Sequence, residues 1–273
     1  MEPEDARRIA VKVASETAAM LRDNACTPRM ARVIRGETTR ADQMAEEYAV
    51  EVLRAEGIKV RIIGEEGGVY GDGDIVALID PLDGSVNYLN CIPWASVSIA
   101  LAPGNARTFR EILAGAVAPI FTGQPLSFSR GGGCRMGETL IRERMEPYKR
   151  VIAVYVEHPS ALEGLKGFMS RFRGFKVRSL GSAALEIAYT AIGRITLFLD
   201  VRSKLRNVDT AAAAGMLLEC GGSLIGADGV EPGLDLSGVS RIGSLIASLD
   251  HTLAEETYSI VGPQMRRPGS PPS

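Results

Sequence analysis

Histidine, aromatic residues and long apolar runs are all scarce in this chain of 273 residues, and each shortage closes off a class of function. Two histidines, His158 and His251, and four scattered cysteines, Cys26, Cys91, Cys134 and Cys220, form no C-x-x-C pair, which argues against a structural zinc site. In a chain of this size without a secretion signal, the cysteines are expected as buried thiols rather than disulfides. A formal net charge of −2 leaves no electrostatic footprint for nucleic acid or an anionic membrane, so neither is expected as a partner. No apolar run reaches bilayer length, and Met1-Glu2-Pro3-Glu4-Asp5 is acidic where a signal peptide is basic, so the expected location is the cytoplasm. Arginine outnumbers lysine 25 to 6, a bias that a hot habitat and a GC-rich genome produce alike.

What is present is concentrated in short acidic and glycine-rich segments. Asp80-Pro81-Leu82-Asp83-Gly84-Ser85 follows the apolar run Ile75 to Ile79, placing two carboxylates at the end of a buried strand and a Gly-Ser pair where a helix can begin. Pro81 turns the chain so that Asp80 and Asp83 can converge, with the Leu82 carbonyl as a third oxygen. Hard oxygen ligands and free N–H groups at a helix start together suit a metal ion and a phosphate. The same residues also fit a plain helix cap at Asp83 and a strand end at Asp80, so this segment alone leaves both readings open. Gly64-Glu65-Glu66-Gly67-Gly68 follows a second apolar run, Val60 to Ile63, and the two strand ends imply a shared rim. A third acid, Asp209, stands at the start of the alanine-rich stretch Thr210 to Gly215, again a position for a ligand or a cap. A site built only from carboxylates and carbonyls points to Mg²⁺ or Mn²⁺.

In order and spacing, Gly64-Glu65-Glu66, Asp80-Pro81-Leu82-Asp83-Gly84-Ser85 and Val208-Asp209-Thr210-Ala211-Ala212 resemble the inositol monophosphatase family, within the lithium-sensitive Mg²⁺ phosphatases. The resemblance extends through Val86-Asn87-Tyr88, Ile92-Pro93-Trp94 and Val97 to Ala100, and the order of elements fits from about Glu4 to Ile260. It implies a first Mg²⁺ on Glu65, Asp80 and the Leu82 carbonyl, a second on Asp80, Asp83 and Asp209, and a looser third near Glu65. It further implies that Glu65 and Ser85 orient the attacking water, and that the Gly84 and Ser85 amides bind phosphate beside Asp83. Asp42 resembles the family's mobile-loop aspartate, although the loop at Gly36-Glu37-Thr38 lacks the lysine that many members carry. The resemblance also implies a homodimer.

Helical spacing marks Arg8 to Leu21 and Ala41 to Ala55, and strands are predicted at 60–63, 75–79, 95–101, 112–118 and 126–129. Residues 1–147 therefore read as an α+β half. From Val151, strands at 151–156, 175–178 and 195–200 alternate with helices at 160–171, 182–192 and 208–219, an α/β pattern that predicts a second half over 148–265. A disordered tail is expected over 266–273. The family's layered αβαβα sandwich, an α+β fold with the site between the halves, is the implied architecture. Gly131 to Gly137 lacks the Gly-Lys-Ser/Thr ending of a phosphate loop and reads as a hairpin turn.

The second half carries the expected contacts to the organic part of a small phosphate ester. Arg178-Ser179-Leu180-Gly181-Ser182-Ala183 resembles the family's pocket segment, with Ser182 and Ala183 at a helix start, and Asp200 is expected to accept from ring hydroxyls. Asp200 to Arg206 looks like the archaeal branch, whose members hydrolyse both inositol 1-phosphate and fructose 1,6-bisphosphate. Arg178 and Arg202 are expected to meet a second phosphate. A nucleotide 3′-phosphatase or NADP phosphatase is the nearest rival, disfavoured by few aromatics near these motifs. A non-catalytic phosphosugar-binding regulator is the rival of another class.

Overall fold

Pro3 in the first turn, with Glu4 and Asp5 beside the positive end of the helix dipole, starts the long helix α1 (Pro3–Asn24), which buries Ala6, Ala10, Val13, Thr17 and Leu21 along one face. The computed structural model describes residues 1–36, 38–143, 147–155 and 159–266. After α1 come β1 (Val33–Arg35), β2 (Thr38–Thr39), α2 (Arg40–Ala55), β3 (Val60–Gly64), β4 (Gly68–Tyr70), β5 (Ile75–Asp83), α3 (Ser85–Leu89), β6 (Ser96–Pro103), β7 (Ala114–Pro119), β8 (Leu126–Ser129), β9 (Gly133–Met136) and β10 (Thr139–Leu140). The second half continues with β11 (Val151–Tyr155), α4 (Pro159–Arg171), β12 (Lys176–Arg178), α5 (Ala183–Ala191), β13 (Leu197–Arg206), α6 (Asn207–Glu219), β14 (Ser223–Gly226), β15 (Arg241–Ser248) and α7 (His251–Met265).

Eight strands pair in the order β10-β9-β8-β7-β6-β5-β3-β4, and five in the order β12-β11-β13-β15-β14. Alternation along β5 shows how the layers form: Ala77 and Ile79 pack outward with α1 and α2, whereas Val76 and Leu78 pack inward with α5 and α6. The opposite faces of α5 and α6 meet the smaller sheet through Phe198, Leu245 and Ala247. Helices α4 and α7 cover that sheet's far side through Phe168, Leu253 and Val261. The result is the expected αβαβα sandwich. The smaller sheet is mixed: β12, β11 and β13 run parallel, whereas β15 and β14 add antiparallel. The chain crosses from one sheet to the other between β10 and β11, and one continuous core fills the space between the sheets. Arg144 to Glu146 of the expected boundary, Glu37 of the loop before α2, His158, and the tail from 267 onward lie outside the described residues.

Helix α6 shows why its sequence is alanine-rich. It is buried on every side between the two sheets, so no polar face is needed. A Cβ at Gly115 on β7 would stand 2.9 Å from the Ala212 Cα, and one at Gly215 would stand 2.5 Å from the Phe128 ring. Only small residues allow so close an approach. Of the segment Gly131 to Gly137 expected as a hairpin turn, Gly131 and Gly132 make the turn between β8 and β9, while Gly133 to Met136 form β9 itself.

The cysteine expectation is corrected. Cys26 pairs with Cys91 and Cys134 with Cys220, and no free cysteine remains. The partners are 65 and 86 residues apart, brought together only by the packing of α1 near α3 and of β9 near the end of α6. Cross-links of this kind typically stabilise by about 2–4 kcal/mol each. Protein unfolded in denaturant without reductant is therefore expected to show no titratable thiol, and reduction to lower its thermal midpoint. Four reactive thiols per chain would refute the pairing.

Candidate active site

The site begins with a fault in strand pairing. Along β5, Asp80 lies opposite Ser98 and Asp83 opposite Ser96, so three steps on one strand match two on β6. Residues three apart on a regular strand point to opposite faces, and one inserted residue restores Asp83 to the inner face shared by Val76, Leu78 and Asp80. Leu82 lies within this bulge, its N–H donating to Asp80 Oδ1 at 3.1 Å. Strand β3 runs parallel to β5 with Gly64 beside Ile79, so the next residue, Glu65, emerges next to Asp80. Asp209 arrives from the first turn of α6. The carboxylates of Glu65, Asp80 and Asp209 each offer an oxygen within 4.8 Å of the others.

Each carboxylate is held from behind. The Glu46 carboxylate on α2 accepts the Glu66 and Gly67 N–H groups, both at 2.7 Å, and the Tyr70 hydroxyl at 3.2 Å, fixing the turn that presents Glu65. A Cβ at Gly64 would stand 2.5 Å from Glu46 Oε1, which explains the glycine there. Asp42 accepts the Thr39 N–H and hydroxyl, both at 2.7 Å, in a capping box that starts α2. Thr38 hydrogen-bonds Glu66, docking the start of α2 on the Glu65 turn. Asp42 is thus a buried helix cap.

Asp83 turns to the second half. Its Oδ2 accepts the Ala184 N–H at 2.8 Å and the Ser182 hydroxyl, and its Oδ1 accepts the Ala183 N–H at 3.2 Å. It therefore caps the start of α5 and stands beside, rather than within, the three-carboxylate group. Asn87 Nδ2 donates to the Leu180 carbonyl at 2.6 Å and the Trp94 carbonyl at 2.7 Å. Gly84, at φ +88°, leaves room for no side chain, because a Cβ would meet the Gly181 carbonyl oxygen at 2.9 Å. The two segments singled out in sequence, 80–87 and 178–184, thus meet directly. Ser85 opens α3, where the first N–H groups have no partner within the helix.

Asp200, expected to face ring hydroxyls, is bonded to Arg202 in this structure. It is fully buried, its Oδ1 accepting the Arg202 N–H at 2.7 Å and its Oδ2 accepting Arg202 Nε at 3.0 Å and Nη2 at 2.6 Å, so it holds the arginine. The Arg202 guanidinium lies 3.9 Å over the Tyr155 ring. Tyr155 is near enough to Glu186 and Asp83 for both charges to hold its phenol in the neutral form, after burial itself. Arg178 is exposed, with Nη1 on the Val177 carbonyl.

A cation already sits against the acids. Arg206 Nη2 donates to Glu65 Oε1 at 2.5 Å and pairs with Asp209 Oδ1 at 2.9 Å, while its N–H reaches Asp209 Oδ2 at 2.9 Å. Burial opposes the charge on Arg206, but Asp209 and Glu65 outweigh it and hold the guanidinium firmly protonated. Burial, with Asp209 adding repulsion and Arg206 opposing, pushes Glu65 up to about 7. Asp80 is raised well above the usual range by burial and by the facing Glu65. Asp83 reaches about 6 through burial, restrained by the Ser182 hydrogen bond. Buried carboxylates so averse to ionisation, offering only oxygen, fit a hard divalent cation. Glu46 and Arg206 escape the sequence reading; their signals are the i,i+4 spacing from Asp42 and the i,i+3 spacing to Asp209.

Three comparisons bear on this geometry. The inositol monophosphatase family profile matches residues 2–262. An inositol-1-monophosphatase of Aeropyrum pernix is 49% identical over 263 residues, covering 93% of this chain and 96% of its own. A fructose-1,6-bisphosphatase/inositol-1-monophosphatase of Archaeoglobus fulgidus is 31% identical, covering 84% and 87%. Among solved structures, extragenic suppressor protein suhB from Bartonella henselae superposes with a TM-score of 0.75 at 25% identity, covering 92% and 96%.

An acid whose pKa is raised in the folded state keeps its proton there after the unfolded chain has lost it, so stability falls as pH rises through that interval. For Glu65 the interval runs from 4.5 to about 7. In metal-free protein, the midpoint of Glu65→Gln minus that of wild type is expected to grow across this window and level off above it. A difference independent of pH would show that Glu65 is not raised.

Proposed function

The chain belongs to the inositol monophosphatase family and is a phosphoric monoester hydrolase; we propose that it uses Mg²⁺ to hydrolyse sugar and polyol phosphates, with fructose 1,6-bisphosphate and inositol 1-phosphate sharing one site. The observation that carries this reading is the meeting of Glu65, Asp80 and Asp209, from three separated motifs, at the seam between the sheets. Glu65, Asp80, Asp209 and the Leu82 carbonyl would hold the ion or ions, with Mn²⁺ able to substitute and Asp83 adding charge beside them. Bound there, a divalent cation acidifies a water and offsets charge on the phosphate.

The chain's own groups do the rest. Glu65 and Ser85 orient the water and Glu65 takes its proton. The Gly84 and Ser85 amides, without intrahelical partners, receive phosphate oxygens. Ser182 and Ala183, held by Asp83, form the wall against the organic group. Arg202, preset by Asp200 and Tyr155, binds the phosphate that is not cleaved, with Arg178 further out. The Archaeoglobus relative, named for both activities, supports this reading. No helix among the described residues is long and apolar enough to cross a membrane. A cytoplasmic homodimer completes the proposal.

Phosphate release from a panel of sugar, inositol and nucleotide phosphates tests the reading, and preferential release from a nucleotide would replace it. Asp80→Asn and Asp209→Asn are each expected to lower kcat at least about a hundredfold with the fold retained by circular dichroism, since each removes a charge aimed at the transition state. Turnover close to wild type in either would remove the metal assignment. Arg202→Ala is expected to raise KM for fructose 1,6-bisphosphate roughly ten- to a hundredfold, as loss of a bidentate phosphate contact does, while KM for inositol 1-phosphate moves much less. Equal effects on both substrates would place Arg202 in the fold alone.

A further inference from the structure

Arg206 is the residue whose position the hydrolytic chemistry does not require. Its Nη2 touches both Glu65 Oε1 and Asp209 Oδ1, two of the three carboxylates whose oxygens lie within 4.8 Å of one another. One guanidinium nitrogen therefore occupies two of the carboxylates that would hold the divalent ion or ions. The side chain is 36% exposed, whereas Asp80 is 2% exposed, so the arginine reaches solvent where the deepest acid does not. Its backbone is fixed independently: the Arg206 N–H donates to Asp209 Oδ2, and the Arg206 carbonyl accepts from Thr210 at the start of α6. A long side chain on a fixed backbone can leave the carboxylates without disturbing the helix.

Resting on the metal-dependent reading above, we propose that Arg206 is a built-in counter-cation that competes with the divalent ion for Glu65 and Asp209. In the metal-free protein it neutralises acids that would otherwise repel one another at close range. When the ion binds, two like charges cannot share the same oxygens, so the guanidinium must move outward. Arg206 thereby sets the concentration at which the site loads, and lowers the affinity that the carboxylates alone would have. It acts through the ligands and is a positioning residue.

The test uses the full chain stripped with chelator. Titration calorimetry with Mg²⁺ alone, and with Mn²⁺ alone, compares wild type with Arg206→Gln, and thermal midpoints are recorded with and without saturating Mg²⁺. The variant is expected to bind the ion at least about tenfold more tightly, with a lower midpoint than wild type when metal-free and a matching or higher one when loaded. Equal or weaker binding, or equal losses of midpoint in both states, would overturn the proposal in favour of a structural cap. If wild type binds no divalent ion, both this proposal and the metal reading fall; if it binds one and the variant binds no better, only this proposal falls. A measurement on the unaltered protein covers the case in which the variant does not fold. In ¹⁵N-arginine-labelled wild type, a restricted guanidinium signal is expected in chelator and should be lost on adding Mg²⁺, while a signal unchanged by Mg²⁺ would overturn the displacement.

Discussion

Asp80 and Asp83 share the inner side of β5 only because a single extra residue is inserted between them, and the remaining architecture of the site depends on that insertion. In an unbroken strand the second aspartate would point outward toward α1 and α2, into a layer of alanine, valine and leucine. With the bulge, one carboxylate meets Glu65 and Asp209 while the other caps α5 from across the sandwich. Pro81, which has no N–H to donate to a ladder, suits a place where the ladder is interrupted. Metal binding and the joining of the halves are thus two outputs of one irregularity.

Electrostatics sets the second constraint. Four acids from three segments gather at a buried seam, and for Glu65, Asp80 and Asp83 ionisation is disfavoured by burial, with repulsion from neighbouring acids adding to it. A fold can accept such a group when hydrogen bonds and a nearby cation compensate it. Here the α5 amides serve Asp83 and the guanidinium of Arg206 serves Glu65 and Asp209. The empty and loaded states of the site then differ in which cation is present rather than in whether one is.

The elements from Pro3 to Glu219 were largely legible because strong local patterns mark them: apolar runs ending in glycine and acid, and helical spacing in α1 and α2. The three acidic motifs whose carboxylates meet were legible for the same reason, each being contiguous. What escaped depends on distant partners. The contacts of Asp83 with Ser182 to Ala184, about a hundred residues on, have no local signal. The pairing of Arg202 with Asp200 depends on how β13 folds back, and the cysteine pairs have no local signature at all. β14, β15 and α7 follow the last motif, where mixed polar and apolar residues give weak periodicity. β15 sits between β13 and β14.

Helix α6 is apolar around its whole circumference and comes late in the chain. On the ribosome, the larger sheet is complete at Leu140, yet the helix that covers its inner face is still about seventy residues away, roughly 3 to 14 seconds of synthesis. Through that interval Leu78, Ala100 and Phe128 have no permanent cover. Newly made chains of this protein therefore pass through a sticky half-finished stage, in which protection by cellular holding factors matters more than it does for the finished enzyme.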